Sequence, residues 1–100
     1  YLSGTGSAVG SGRGSTTAFL YIAQNSSSSG PDIHIAQLQN YANTTTYKTV
    51  LDRWNEPTGN VGATVGLWRS TSAITSVFLA ANGSNIAAGS TCTLYGILAA

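Results

Sequence analysis

The side chains able to do acid–base, nucleophilic or metal chemistry are few: His34, the carboxylates Asp32, Asp52 and Glu56, the thiol Cys92, and the cations Arg13, Lys48, Arg53 and Arg69. Glycoside hydrolysis asks only for two carboxyl groups about 5 to 9 Å apart, and Asp52 and Glu56 are the acidic pair closest to that requirement. Their neighbours favour a plainer reading. Asp52 adjoins Arg53 at the end of a strand, and Glu56 precedes Pro57 in a turn, which is where solvated charges fall. His34 lies between Ile33 and Ile35, so on a strand it points away from both and reads as a surface or hydrogen-bonded structural residue. A zinc site needs three or four ligands, and Cys92, Asp32, Asp52 and Glu56 have no ligand spacing between them. Cys92 has no cation beside it in sequence to stabilise a thiolate, and in Thr91-Cys92-Thr93-Leu94 it reads as a small buried hydrophobe. None of the 13 serines stands in a Gly-x-Ser-x-Gly frame before a helix. General acid and base catalysis requires at least two groups within hydrogen-bond reach of a reacting atom. The expectation is a chain with no catalytic residue, no metal and no organic cofactor.

The aromatic residues are the other chemical resource, because Tyr and Trp stack on sugar faces and also dominate protein interfaces. Tyr47, Trp54 and Trp68 fall on strands or strand ends, where core packing, a subunit interface and a glycan platform all remain open readings. Neutral amides such as Asn55 and Asn60 would complete a glycan site. Arg69 follows Trp68 at a strand edge, where its fork of donors can hold backbone carbonyls or a carboxylate of a neighbouring subunit.

The elements that must position these residues are strands. Charged residues make up only 7% of the chain, and 13 Ser, 13 Thr and 12 Gly fill more than a third of it. Such a composition disfavours helices, since Gly loses most backbone entropy on ordering and Ser and Thr compete for backbone hydrogen bonds. Residues 1–16 hold five glycines with Ser and Thr between them and read as a flexible arm or long loop. Gly10-Ser-Gly-Arg-Gly14 has neither the preceding strand nor the following helix of a phosphate-binding loop. Residues 17–100 read as the folded part, with strands expected at 17–23, 33–41, 46–54, 61–69, 74–81 and 91–98. Val61, Ala63, Val65 and Leu67 alternate with Gly62, Thr64, Gly66 and Trp68, the clearest half-buried strand in the chain. In 46–54 Val50 and Trp54 share one parity and Tyr47 and Leu51 the other, as in a strand whose outer face meets another chain. Turn-forming tracts at 25–32, 42–45 and 55–60 and the pair Asn82-Gly83 separate them. Six strands at roughly ten-residue spacing predict an all-β fold, an antiparallel β-sandwich with a Gly/Ser-rich N-terminal arm.

Whole classes of function fall away on composition. A net charge of +1 gives no patch able to neutralise many phosphates, so no nucleic-acid partner is expected. The longest apolar runs are about seven residues, far short of the ~20 that span a bilayer as a helix. The single Cys92 forms no internal disulfide. The chain starts at Tyr1 and contains no Met, so a processed product or a part of something longer is expected. Asn25, Asn43 and Asn82 head Asn-x-Ser/Thr sequons at a frequency such a composition produces by chance.

Tyr41-Ala-Asn43, Tyr47-Lys-Thr-Val50, the run from Gly66-Leu-Trp-Arg-Ser70 to Ser76, and Leu94-Tyr-Gly-Ile97 resemble a family of tailed-bacteriophage virion proteins. These are jelly-roll modules that serve as structural, decoration or fibre components of phage particles, and the resemblance covers roughly residues 37–97. It implies a jelly-roll-like sandwich. A jelly roll has eight strands and six are counted here, so neighbouring chains or further upstream sequence would supply the rest. It also implies a non-enzymatic role on the virion surface as capsid decoration, cement or fibre module, in contact with other copies of itself, most simply as a trimer, and with other virion proteins. The alternative is a receptor- or glycan-binding module of a tail fibre, with a host-surface glycan as ligand and Tyr47, Trp54, Trp68 and Arg69 as its contacts.

Overall fold

The computed structural model describes residues 1–14, 30–81 and 85–97. Their regular structure is entirely β: β1 (Leu2–Gly4), β2 (Val9–Ser11), β3 (Ile33–Gln39), β4 (Lys48–Glu56) and β5 (Asn60–Trp68). All five join one antiparallel sheet in the order β2-β1-β5-β4-β3.

The β4–β5 hairpin is the centre of the fold, and its turn is written in the sequence. Glu56 and Asn60 are paired across a three-residue loop, Pro57-Thr58-Gly59. Proline supplies the fixed φ that the second turn position prefers, and Gly59 closes the turn at φ 133°, a region L-residues rarely enter. The Gly59 N–H donates to the Glu56 carbonyl at 3.1 Å, and the Thr58 hydroxyl donates to Glu56 Oε1. The β3–β4 connection is organised by Asn43. Its Oδ1 accepts from the backbone N–H of Thr45 and Thr46 at 2.7 and 2.8 Å, and from both their hydroxyls at 3.0 and 3.1 Å. This is the local side-chain mimicry of a turn that makes Asn frequent in such loops.

Three of the expected strands are present, shifted by a residue or two at their ends: 33–41 as β3, 46–54 as β4 and 61–69 as β5. The first expected strand, 17–23, lies outside the described residues. The Gly-rich start differs from the arm or long loop expected for it. Leu2–Gly4 and Val9–Ser11 form a short hairpin that extends the sheet beside β5. Leu2 pairs with Ala63 and Gly4 with Val61, so backbone hydrogen bonding recruits a segment that has little apolar surface of its own. Strands are also expected at 74–81 and 91–98; among the described residues, 74–81 and 91–97 enter no sheet. The backbone after β5 is tied back where the Ile74 N–H donates to the Tyr41 carbonyl at 2.8 Å, and the chain beyond Ile74 carries exposed apolar side chains.

The covered face mixes apolar with charged side chains, and on β5 the aliphatic residues lie on the other face. Lys48, Val50, Asp52 and Trp54 alternate along β4 on the covered face, and all four are buried. Across from them on β5 stand Trp68, Gly66, Thr64 and Gly62. The large side chains come from β4 and β5 makes room with glycine. A Cβ on Gly62 would lie 2.6 Å from Trp54 Cε2 and 2.8 Å from the Leu2 carbonyl oxygen, so only glycine fits beneath the indole. The alternation expected in β5 is present, but its aliphatic members Val61, Val65 and Leu67 occupy the open face.

Candidate functional site

The open face is assembled by register. Ile35, Arg53 and Ala63 lie in one row across β3, β4 and β5, with Leu2 of β1 next to Ala63. Two rows away Ile33 aligns with Asn55 and Val61, and on the other side Gln37 aligns with Leu51 and Val65. The exposed aliphatic residues on this face are Leu2, Val9, Ile33, Ile35, Leu51, Val61, Val65 and Leu67, and Val65 is 73% exposed. Arg53 stands among them as the only charged residue of β3, β4 and β5 on that parity. Two shallow depressions flank it. One, of about 260 Å³, has Ile33, Ile35 and Asn55 on its walls; the other, of about 400 Å³, is bounded by Leu2, Val9, Val61 and Ala63.

With strands of nine residues and a spacing of roughly 4.8 Å between them, the open face of β3–β5 with the hairpin projects to ~500 Å². That area is shared between the aliphatic side chains and the polar Gln37, Gln39, Thr49, Arg53 and Asn55, so its apolar part stays within the roughly 300–600 Å² of the largest patch on a typical monomer. The open face combines branched aliphatics at high density with one guanidinium that carries five donors.

The covered face has a different character. Lys48 is wholly enclosed, and its Nζ donates to the Thr46 and Thr71 carbonyls at 2.8 and 3.2 Å. Asp52 is enclosed as well, opposite Thr64. On an extended strand Lys48 and Asp52, and likewise Asp52 and Glu56, have Cα atoms about 13 Å apart. His34 is half-buried opposite Trp54, with Nδ1 enclosed and without a hydrogen-bond partner. Among the described residues no three of His, Cys, Asp and Glu come together as a metal site would require.

The residues singled out from the sequence are dispersed. Trp54 is 4% exposed with its ring over Gly62, so it packs rather than presents a face to a sugar. Trp68 is half-buried at the end of β5 opposite Lys48. Its neighbour Leu67 is on the open face, so the two point in opposite directions as their adjacency on a strand demands. Tyr47 and Arg69 flank the hairpin just outside β4 and β5, Tyr47 exposed and Arg69 as the sequence places it, at the strand edge. Cys92, expected as a buried hydrophobe, is exposed, and among the described residues its segment joins no sheet. The residue that sequence reasoning misses is Arg53. A signal for it exists: it is the one charge at an odd-numbered position of a strand whose odd positions otherwise read Thr, Leu and Asn.

No protein-family model, no curated protein and no solved structure matches this chain.

Proposed function

We propose that the chain is a non-enzymatic structural module of a tailed-phage virion, a decoration, cement or fibre component that acts by assembling with other copies of itself and with other virion proteins. The observation that carries this reading is the distribution of side chains between the two faces of the sheet. Its branched aliphatics are open to solvent, whereas two of its few ionisable residues, Lys48 and Asp52, are enclosed. A partner that covers such a face removes its apolar surface from water, and patches of this kind are often functional. Low charge supports the same reading, because many copies can then pack together without mutual repulsion. The finer architecture belongs to the proposal too: the described sheet is one layer of a jelly-roll-like sandwich whose second layer faces Leu51, Val65 and Leu67. A trimer is the simplest stoichiometry. The virion itself rests on the resemblance of residues 37–97 to phage modules. A glycan-binding module of a tail fibre is the competing reading; it retains Tyr47 and Arg69 at the hairpin's end, but it is without the ring face of Trp54.

Particles purified on a density gradient from a culture that produces this chain test the proposal by quantitative mass spectrometry. Peptides of the chain are expected in the particle band at a constant ratio to the major capsid protein across fractions. Recovery of those peptides only in the soluble fraction, with intact particles present, overturns it.

A further inference from the structure

The same chain carries an uncovered apolar face and an uncovered apolar ribbon. Residues 74–81 and 91–97 have the composition of strands, yet no described residue of either is in a ladder. Phe78 is 89% exposed, Tyr95 and Ile97 83% each, and Leu94 is open as well. From Ser70 to Ala100 the sequence has no Asp, Glu, Lys, Arg or His. We propose that residues 74–81 and 91–97 of one copy lie across the open sheet face of a second copy, over Ile35, Leu51, Val65 and Leu67, and supply the second layer of its sandwich.

Dimensions, polarity and donors agree with that occupant. Eight and seven extended residues span ~26 and ~23 Å against the ~30 Å of a nine-residue strand, so each segment covers most of the length of β4 or β5. On 91–97, Thr93, Tyr95 and Ile97 share one side and Cys92, Leu94 and Gly96 the other, which leaves an apolar surface whichever side is turned inward. Arg53 sets the remaining requirement. No carboxylate shares its face on β3, β4 or β5, and the backbone carbonyls of an extended ribbon can accept from its guanidinium. Within one copy the ribbon does not lie on the face, since both are exposed in the same structure. Donor and acceptor are different surfaces, so each copy gives and receives, and the set closes as a reciprocal dimer or as a ring. The inference rests on the assembly reading and names the surfaces that carry it.

Cys92, the single cysteine, is exposed on the ribbon and makes the test direct. The native chain is mixed with a size-tagged chain carrying Cys92→Ser together with Ile35→Cys, Leu51→Cys or Val65→Cys, and the mixture is oxidised with diamide. A disulfide-linked pair of unequal chains is expected with at least one of the three, in at least tenfold excess over the same experiment with Thr58→Cys in the exposed β4–β5 turn. No excess with any of the three overturns the inference. So does a chain bearing both Cys92 and Val65→Cys that closes on itself as a cross-linked monomer, because the ribbon then covers its own face. Particle association is read separately: a chain that travels with particles and fails to cross-link removes the ribbon and leaves the virion reading standing.

Discussion

Gly62→Ala is expected to lower stability by about 2 to 3 kcal/mol, the upper part of the range for forcing a methyl group into filled space. The position cannot relax in either direction. The new Cβ would meet the Trp54 ring on one side, with Cε2 at 2.6 Å, and on the other the Leu2 carbonyl oxygen at 2.8 Å. Leu2 is backbone-paired to Ala63, so moving its carbonyl breaks the β1–β5 ladder, and moving the indole uncovers the centre of the sheet. For a chain of this length that cost corresponds to a fall in Tm of roughly 10 to 20 °C. Gly10→Ala is the control, since its Cβ would find only Ser3 Oγ at 3.5 Å, an ordinary contact. Equal melting temperatures for the two variants would show that Trp54 does not pack on β5 as described.

Lys48→Ala is expected to cost about 3 kcal/mol or more in chemical denaturation, because it empties enclosed space and strips a charged donor from two carbonyls at once. Those carbonyls belong to Thr46, just before β4, and Thr71, just after β5, so the ammonium ties the two chain ends of the central hairpin together. Lys48→Met separates the contributions. Methionine keeps most of the buried stem and removes the burden of holding a charge out of water, so its cost is expected near ~1 kcal/mol. A Lys48→Ala variant within about 0.5 kcal/mol of the native chain, the ordinary range for a surface substitution, would mean that the side chain is solvated rather than enclosed.

The strands are legible in the sequence where alternation and turn chemistry agree. Glu56-Pro57-Thr58-Gly59 announces the central hairpin through the φ preferences of Pro and Gly, and β3, β4 and β5 lie within two residues of their expected bounds at most ends. Alternation reports that two faces differ, but not which of them is covered. In β5 the aliphatic parity is the natural choice for the core, yet the covered parity is the one with Gly62 and Gly66, because bulk arrives from Trp54 and Val50 on β4. Single-strand periodicity is blind to such cross-strand compensation. The Gly-rich start is equally opaque: Leu2–Gly4 and Val9–Ser11 are held by backbone pairing to β5 and to each other, which leaves no pattern in side-chain type. Residues 74–81 and 91–97 read as strands from composition, and among the described residues neither pairs with the sheet, although β2 and β3 stand at its edges. Of the proposed contacts, Tyr47, Trp54, Trp68 and Arg69 are visible as residue types, whereas the open face on which Arg53 sits exists only once the register is known.

The central claim is that the open aliphatic face is covered by another copy, and sedimentation velocity of the native chain and of Val65→Asp over micromolar concentrations measures it most directly. Val65 is exposed within one copy, so the substitution is expected to leave the β-type circular dichroism spectrum unchanged while placing a carboxylate in the middle of the proposed contact. The native chain is predicted to sediment as a defined multiple of 10.2 kDa and the variant as a single chain. A native chain that stays monomeric and monodisperse throughout, indistinguishable from Val65→Asp, would contradict the account.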